Sequence, residues 1–407
     1  MNIERKTTEK TSLLALLIMA FYILMSYTAN DILISRSWNS YALYVFLFGG
    51  VIFTLKSVLE NGLEIPYYTM WYFIFMIVSM TTMLYSPERA FFSGQYYLMI
   101  VSFILTFFLQ MIVRNKQEFI FVCWCYAISS ACLVAILYFT GNLVGTDSER
   151  LGKTFLDNSN NFAGIVMAAV IYSLWLFVYA ERKLILKMVL LCIVALDMYA
   201  LVLSAGRKFF VVPFIFLYVM LLLKKDKKGK KKFFLYSVLI AILVLIVWNL
   251  IMEVDVFYDA IGIRFERLIS GQDGSGAIRS KMIDLAMTQW TKRPLIGYGF
   301  DSFKYYAQVA VGQFFYSHCN YTELLYNGGI ILFGVYYWVY YKIIATAIRL
   351  KNYDNSLIAF AVASAVSLFV FDYGSVSYSL TFVQTILMFS LKLLFMAKDN
   401  GLSGQEL

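Results

Sequence analysis

Charge is scarce in this sequence: Asp, Glu, Lys and Arg make up 14% of 407 residues, against 61% hydrophobic. A soluble domain of this size needs more polar surface, so the solvent must be largely lipid. Proline is scarce as well, with 4 copies, which suits helices over loops. The five cysteines show no zinc spacing, and Cys123-x-Cys125 is one residue too tight for a redox pair, so no disulfide framework is implied. Four of them read as small helix-packing residues and Cys319 as free. Histidine occurs once, as His318, a few residues ahead of a long apolar run.

What is present is apolar runs bounded by charge. Twelve approach the length of about 20 residues that a bilayer crossing needs. They lie near 11–30, 38–56, 67–85, 94–113, 119–141, 161–180, 186–203, 208–223, 233–252, 324–341, 356–373 and 377–397. Backbone groups find no water in hydrocarbon, so these runs must be helices. The first lacks a small-residue cleavage site and is expected to be a retained helix. The fold class expected is an all-α polytopic membrane protein, with helices over 1–252, a large external loop over 253–323 and further helices over 324–407.

Assigning both termini and alternate loops to the cytoplasm puts 21 of the 34 lysines and arginines there, and 13 outside. Seven of the 13 lie in the long loop. Such loops translocate largely regardless of charge, and without it the ratio is 21 to 6. Both termini are therefore expected to be cytoplasmic. "KKDKKGKKK" (224–232) is either a topology anchor or a site for anionic lipid or a cytosolic partner.

Ionisable residues in or beside spans are costly and mark function. Asp197, Arg207, Glu253, Asp255, His318, Glu323 and Asp372 all map to the extracytoplasmic face, which argues for an externally facing polar site. A transporter should also carry helix-breaking features at mid-membrane, and Pro213 is the one such break.

The long loop should hold structure of its own. Phe257, Ile261, Phe265 and Leu268 share one helical face, as in a helix lying on the membrane surface. "GQDGSG" (271–276) breaks that helix. A second one over about 277–291 puts Arg279, Ile283, Ala286 and Trp290 on one side, and "RPLIGYGF" (293–300) reads as a tight turn. Two more external segments carry Arg150, Lys153 and several asparagines (149–164), and Arg207 with Lys208 (204–210).

These groups suit transfer from a lipid diphosphate. The leaving group needs positive charge or a metal, and arginine offers a fork of donors that matches phosphate oxygens. No outward DxD or carboxylate pair calls for a metal. Histidine is a natural general base near neutral pH, although an interfacial histidine that only hydrogen-bonds is the other reading.

Four segments together resemble the O-antigen ligase and Wzy-type polysaccharide polymerase superfamily, over about residues 145–345. They are "GKTFLDNSNNFAG", "SAGRKFF", "RSKMIDLAMTQWTKRPLIGYGFDSF" and "HCNYTELLYNGGIILFG". Departures are Cys319, between His318 and Asn320, and "DNSN" where Asn-Pro-Asn is commoner. The resemblance implies a C-type glycosyltransferase membrane fold. It also implies metal-independent, inverting transfer of a glycan from undecaprenyl diphosphate at the outer face of the bacterial plasma membrane, with no cofactor. By that match Arg207 and Arg279 hold the diphosphate, Arg150 lines the substrate path, and His318 orients or deprotonates the acceptor hydroxyl. Lys153, Asn160, Lys208, Asn320 and Glu323 are the remaining substrate-binding candidates.

The implied partners are the undecaprenyl-diphosphate-linked donor and acceptor, membrane lipids, and a chain-length regulator and flippase of the same pathway, with no nucleic acid. A polymerase extends another lipid-linked repeat unit, and a ligase uses lipid A core. Polymerase is favoured because most members in polysaccharide clusters are polymerases. A lipid-linked oligosaccharide flippase would need a charged central cavity and internal repeats, and the sequence shows neither.

Overall fold

A computed structural model describes residues 11–62, 65–86, 94–146, 149–153, 155–156, 158–224 and 229–403. Among these residues the chain is helical with no strand, apart from one bridge between Ala29 and Ile34. Nine helices precede the external segment: α1 (Leu13–Thr28), α2 (Ser37–Asn61), α3 (Tyr67–Met83), α4 (Gly94–Ile112), α5 (Lys116–Phe139), α6 (Ser159–Trp175), α7 (Leu184–Leu203), α8 (Arg207–Leu223) and α9 (Gly229–Glu253). The segment expected to be external holds α10 (Asp255–Phe257), α11 (Ile263–Ile269), α12 (Gly274–Trp290) and α13 (Phe303–Val311). The chain ends with α14 (Asn320–Arg349), α15 (Asn355–Asp372) and α16 (Thr381–Ser403).

A helix overlies each of the twelve apolar runs, and the external segment runs between Glu253 and Asn320, close to the expected 253–323. Nine helices among the described residues are long and apolar enough to cross a bilayer. The other three, α1, α3 and α8, have 16, 17 and 17 residues, so the count of twelve crossings exceeds what length and composition support. Pro213 lies inside α8 without ending it. Residues 225–228 of the basic run 224–232 lie outside the described residues.

Lipid tails are as apolar as leucine, so these helices must associate by close packing rather than by escape from water. α15 shows how. Ala359, Ala361, Ala363, Ser364, Ala365 and Ser367 are all buried, and their small size lets α8 and α16 approach. α6, α15 and α16 form the buried centre, whereas α9 presents nearly all its surface outward. Asp197, expected at the external site, instead accepts from Ser130 of α5 at 2.8 Å and is buried in the helix packing.

The external segment differs from its expectation in one respect. Phe257, Ile261 and Phe265 do not face lipid. Ile261 is buried, Phe257 meets Tyr199 of α7 edge-on, and Phe265 meets Trp248 of α9. Aromatic partners on two helices draw this face onto the bundle, and only its end, Leu268 and Ile269, stays exposed. α12 and α13 build a small separate core from Met282, Ala286, Phe303 and Ala307, closed by Tyr326 of α14.

That core leans on a break in α14. Gly328 and Gly329 leave helical geometry, Gly329 at φ +62°. The turn after α12 fills the gap with backbone hydrogen bonds. The N–H groups of Tyr298 and Gly299 donate to the carbonyls of Tyr326 (2.8 Å) and Asn327 (2.7 Å), and that of Ile330 donates to Pro294 (2.9 Å). A Cβ on Gly329 would lie 2.3 Å from the Leu295 carbonyl, and one on Gly297 2.4 Å from the Tyr326 oxygen. Glycine is required at both positions because two backbones touch there.

Candidate active site

His318 sits on the last turn before α14, half-buried, with φ +59°. Left-handed geometry is uncommon for a residue with a Cβ and persists where the surroundings enforce it. Here Glu323 accepts the Ser317 amide at 2.8 Å, and the Ser317 hydroxyl donates to the Cys319 carbonyl at 2.9 Å. Asn327 donates to the other Glu323 oxygen at 3.4 Å.

The next turn is fastened by a closed ring of hydrogen bonds. Asn320 accepts the amides of Ser377 (2.9 Å) and Tyr378 (3.2 Å), and donates to the Tyr337 hydroxyl at 3.0 Å. Tyr337 donates to Asp372 at 2.9 Å, Tyr340 to the same oxygen at 3.1 Å, and the Ser377 hydroxyl to the other at 2.5 Å. Asn320 and Glu323, read from sequence as substrate contacts, are fully buried and bonded to protein, so in this geometry they hold the histidine turn in place.

Cations surround the histidine. Burial and the charges of Arg279 and Lys208 push the His318 imidazole down to about 4, so the ring is neutral at neutral pH. Lys208 is in turn acted on by Arg279 and Arg150. Its ammonium donates to the Gly374 carbonyl at 2.7 Å and lies over the rings of Phe209 and Phe371. Burial, then Arg207, pulls Arg279 below its ordinary value, while Asp273 acts the other way and Arg264 adds to the repulsion. Arg150 donates to the Ser204 carbonyl (2.8 Å) and to Asn160 (3.2 Å), bracing the turn that carries Arg207. Lys153 is exposed; its amide donates to the Arg150 carbonyl at 3.1 Å, and among the described residues its side chain joins none of these contacts.

Arg207 is held by Arg264 and Asp273, neither of which the sequence marks as part of the site. It donates to the Arg264 carbonyl at 2.8 Å and pairs with the Asp273 carboxylate at 2.5 Å. Burial acts upward on Asp273, but the Ser275 hydroxyl and Arg207 outweigh it and hold the acid down to about 2. The one visible signal was an acid set among the glycines of "GQDGSG".

A neutral histidine beside two cations, with further arginines acting on those, is an arrangement that can take an anion and a hydroxyl nucleophile. Residues 192–337 match the family model of O-antigen ligases, Wzy_C. Over those residues the chain is similar to the O-antigen ligase family. No curated protein matches the chain. The matched region runs from within α7 to beyond the break in α14, so it contains Arg207, Asp273, Arg279, His318 and both backbone partners of the break. The match supports the resemblance to the O-antigen ligase and Wzy-type superfamily. Arg150, Asn160 and Asp372 brace the matched region from outside it.

Proposed function

We propose that the protein is a Wzy-type polysaccharide polymerase. It joins oligosaccharide repeat units carried on undecaprenyl diphosphate, at the outer face of the plasma membrane, by metal-independent inverting transfer. The observation that carries this reading is His318 set against Arg279 and Lys208, with Arg207 acting on Arg279. The diphosphate of the donor lies along the guanidiniums, which stabilise the charge that grows as the bond from the anomeric carbon to the phosphate oxygen breaks. The acceptor hydroxyl, hydrogen-bonded to neutral His318, attacks that carbon from the opposite side and gives its proton to the imidazole. The products are the extended glycan, undecaprenyl diphosphate and protonated His318, which then loses its proton to solvent.

In the free protein burial, together with the cations, makes His318 a weak base. A bound diphosphate offsets their charge, so the imidazole becomes more basic when the donor is in place. The base is thereby strengthened only in the complex that needs it.

Similarity to the O-antigen ligase family favours a second reading, in which the same chemistry delivers the glycan to lipid A core. Purified protein in nanodiscs, given lipid-diphosphate repeat units with EDTA present, separates the two. Ladders made by wild type and lost in His318→Ala and Arg279→Ala support the polymerase. Transfer only to added lipid A core supports the ligase. Ladders undiminished in His318→Ala reject the role given to the histidine.

A further inference from the structure

Arg207 already holds an anion. The carboxylate of Asp273 meets its guanidinium at 2.5 Å, and the two side chains keep only 15% and 16% of their surface exposed. Arg279 feels Arg207, Asp273 and Arg264 together. One carboxylate therefore pairs with Arg207 and acts on Arg279, at the place where the proposed function puts the donor's diphosphate.

We infer that Asp273 is the resting occupant of the donor's anion site. It yields Arg207 to the incoming lipid diphosphate and returns to help expel the diphosphate product. This rests on the proposed function. The physical need is plain: guanidiniums gathered to bind a diphosphate repel one another while it is absent, and an internal carboxylate offsets that repulsion. A carboxylate fits the arginine fork, but it carries less charge and fewer oxygens than a diphosphate, so it is displaceable. The chain around it permits the exchange. Gly271, at φ +73°, and Gly274 flank Asp273 closely, and a Cβ at either would meet nothing within 4 Å. The Ser275 hydroxyl, in the first turn of α12, donates to the second Asp273 oxygen at 2.7 Å.

The test is calorimetric titration of inorganic pyrophosphate into the full-length protein in detergent. Wild type is compared with Asp273→Asn, Asp273→Ser and Arg207→Ala, with thermal unfolding of each as a check on folding. Asn and Ser both serve well as helix N-caps, so either retains the start of α12 without the charge. Pyrophosphate is expected to bind both neutral variants about tenfold more tightly than wild type, and Arg207→Ala more weakly. It should also become a stronger inhibitor of transfer in the neutral variants. Affinity unchanged or reduced in both folded neutral variants overturns the inference and leaves Asp273 as a fixed brace for Arg207. Pyrophosphate binding that is absent from wild type, or unaffected by Arg207→Ala, instead rejects the donor site itself, and the inference with it.

Discussion

Asn320 and Ser377 are joined by a 2.9 Å hydrogen bond that ties the residue two places after His318 to the connection between α15 and α16. Replacing Asn320 by Ala strands two buried amides, at about 1–3 kcal/mol each. Asn320→Asp keeps both acceptor bonds but loses the donation to Tyr337 and buries a second carboxyl across Tyr337 from Asp372. Transfer rate and thermal unfolding in detergent should fall in the order wild type, Asp, Ala. Equal loss in both variants would mean that the amide nitrogen, rather than the anchored turn, matters.

The His318 ring, held down to about 4 in the free protein, should show itself in pH profiles. The acid limb of kcat/KM reports the free enzyme and that of kcat the substrate complex. The kcat/KM limb is expected near pH 4, with the kcat limb displaced upward because a bound diphosphate offsets Arg279 and Lys208. For stability the sign follows from the depressed value. Below the ordinary histidine value of about 6.5 the unfolded chain takes up a proton that the folded one refuses until about 4, so His318 costs stability as pH falls through that window. Coincident limbs would contradict the substrate-induced rise.

Gly329→Ala meets both a left-handed φ and the Leu295 carbonyl, and should cost more than about 1 kcal/mol from the backbone conformation alone. Transfer should be lost because the turn that docks on the break also leads from α12 to α13. Gly334→Ala, five residues along the same helix with nothing within 4 Å of the added Cβ, is the control and should leave both rate and melting temperature intact.

Arg207 uses two arms at once, and lysine has no second arm. Arg207→Lys is therefore expected to raise the donor KM about tenfold. Arg150→Ala, which releases the Ser204 carbonyl behind that arginine, should have a smaller effect in the same direction. Lys153→Ala, on the exposed turn beside it, should change KM less than either. A KM effect of Lys153→Ala as large as that of Arg207→Lys would give Lys153 a direct contact with substrate.

Much of this arrangement is legible in the sequence. The alternation of spans carries Arg150, Arg207, Lys208, Arg279 and His318 to one side, because crossing number alone decides which end of a helix faces out. The hidden parts share a cause. The docking of "RPLIGYGF" on "YNGG" is made by backbone groups, which leave only glycines as their mark. Phe257, Ile261 and Phe265 have the same spacing whether they face lipid or helices, so periodicity does not reveal their inward turn. The pairing of Asp273 with Arg207 spans 66 residues and has no local pattern at all.

The nearly complete exposure of α9 has a bearing on how this sequence can drift. Lipid asks of a side chain only that it be apolar, so one aliphatic residue serves α9 much as another does. α15 and α16, less apolar than α9, are packed against protein on most sides, and there each change of shape is felt. Hydrophobicity and constraint thus run in opposite directions between these helices. Substitutions should accumulate where the chain is greasiest and be refused among its alanines, serines and buried tyrosines.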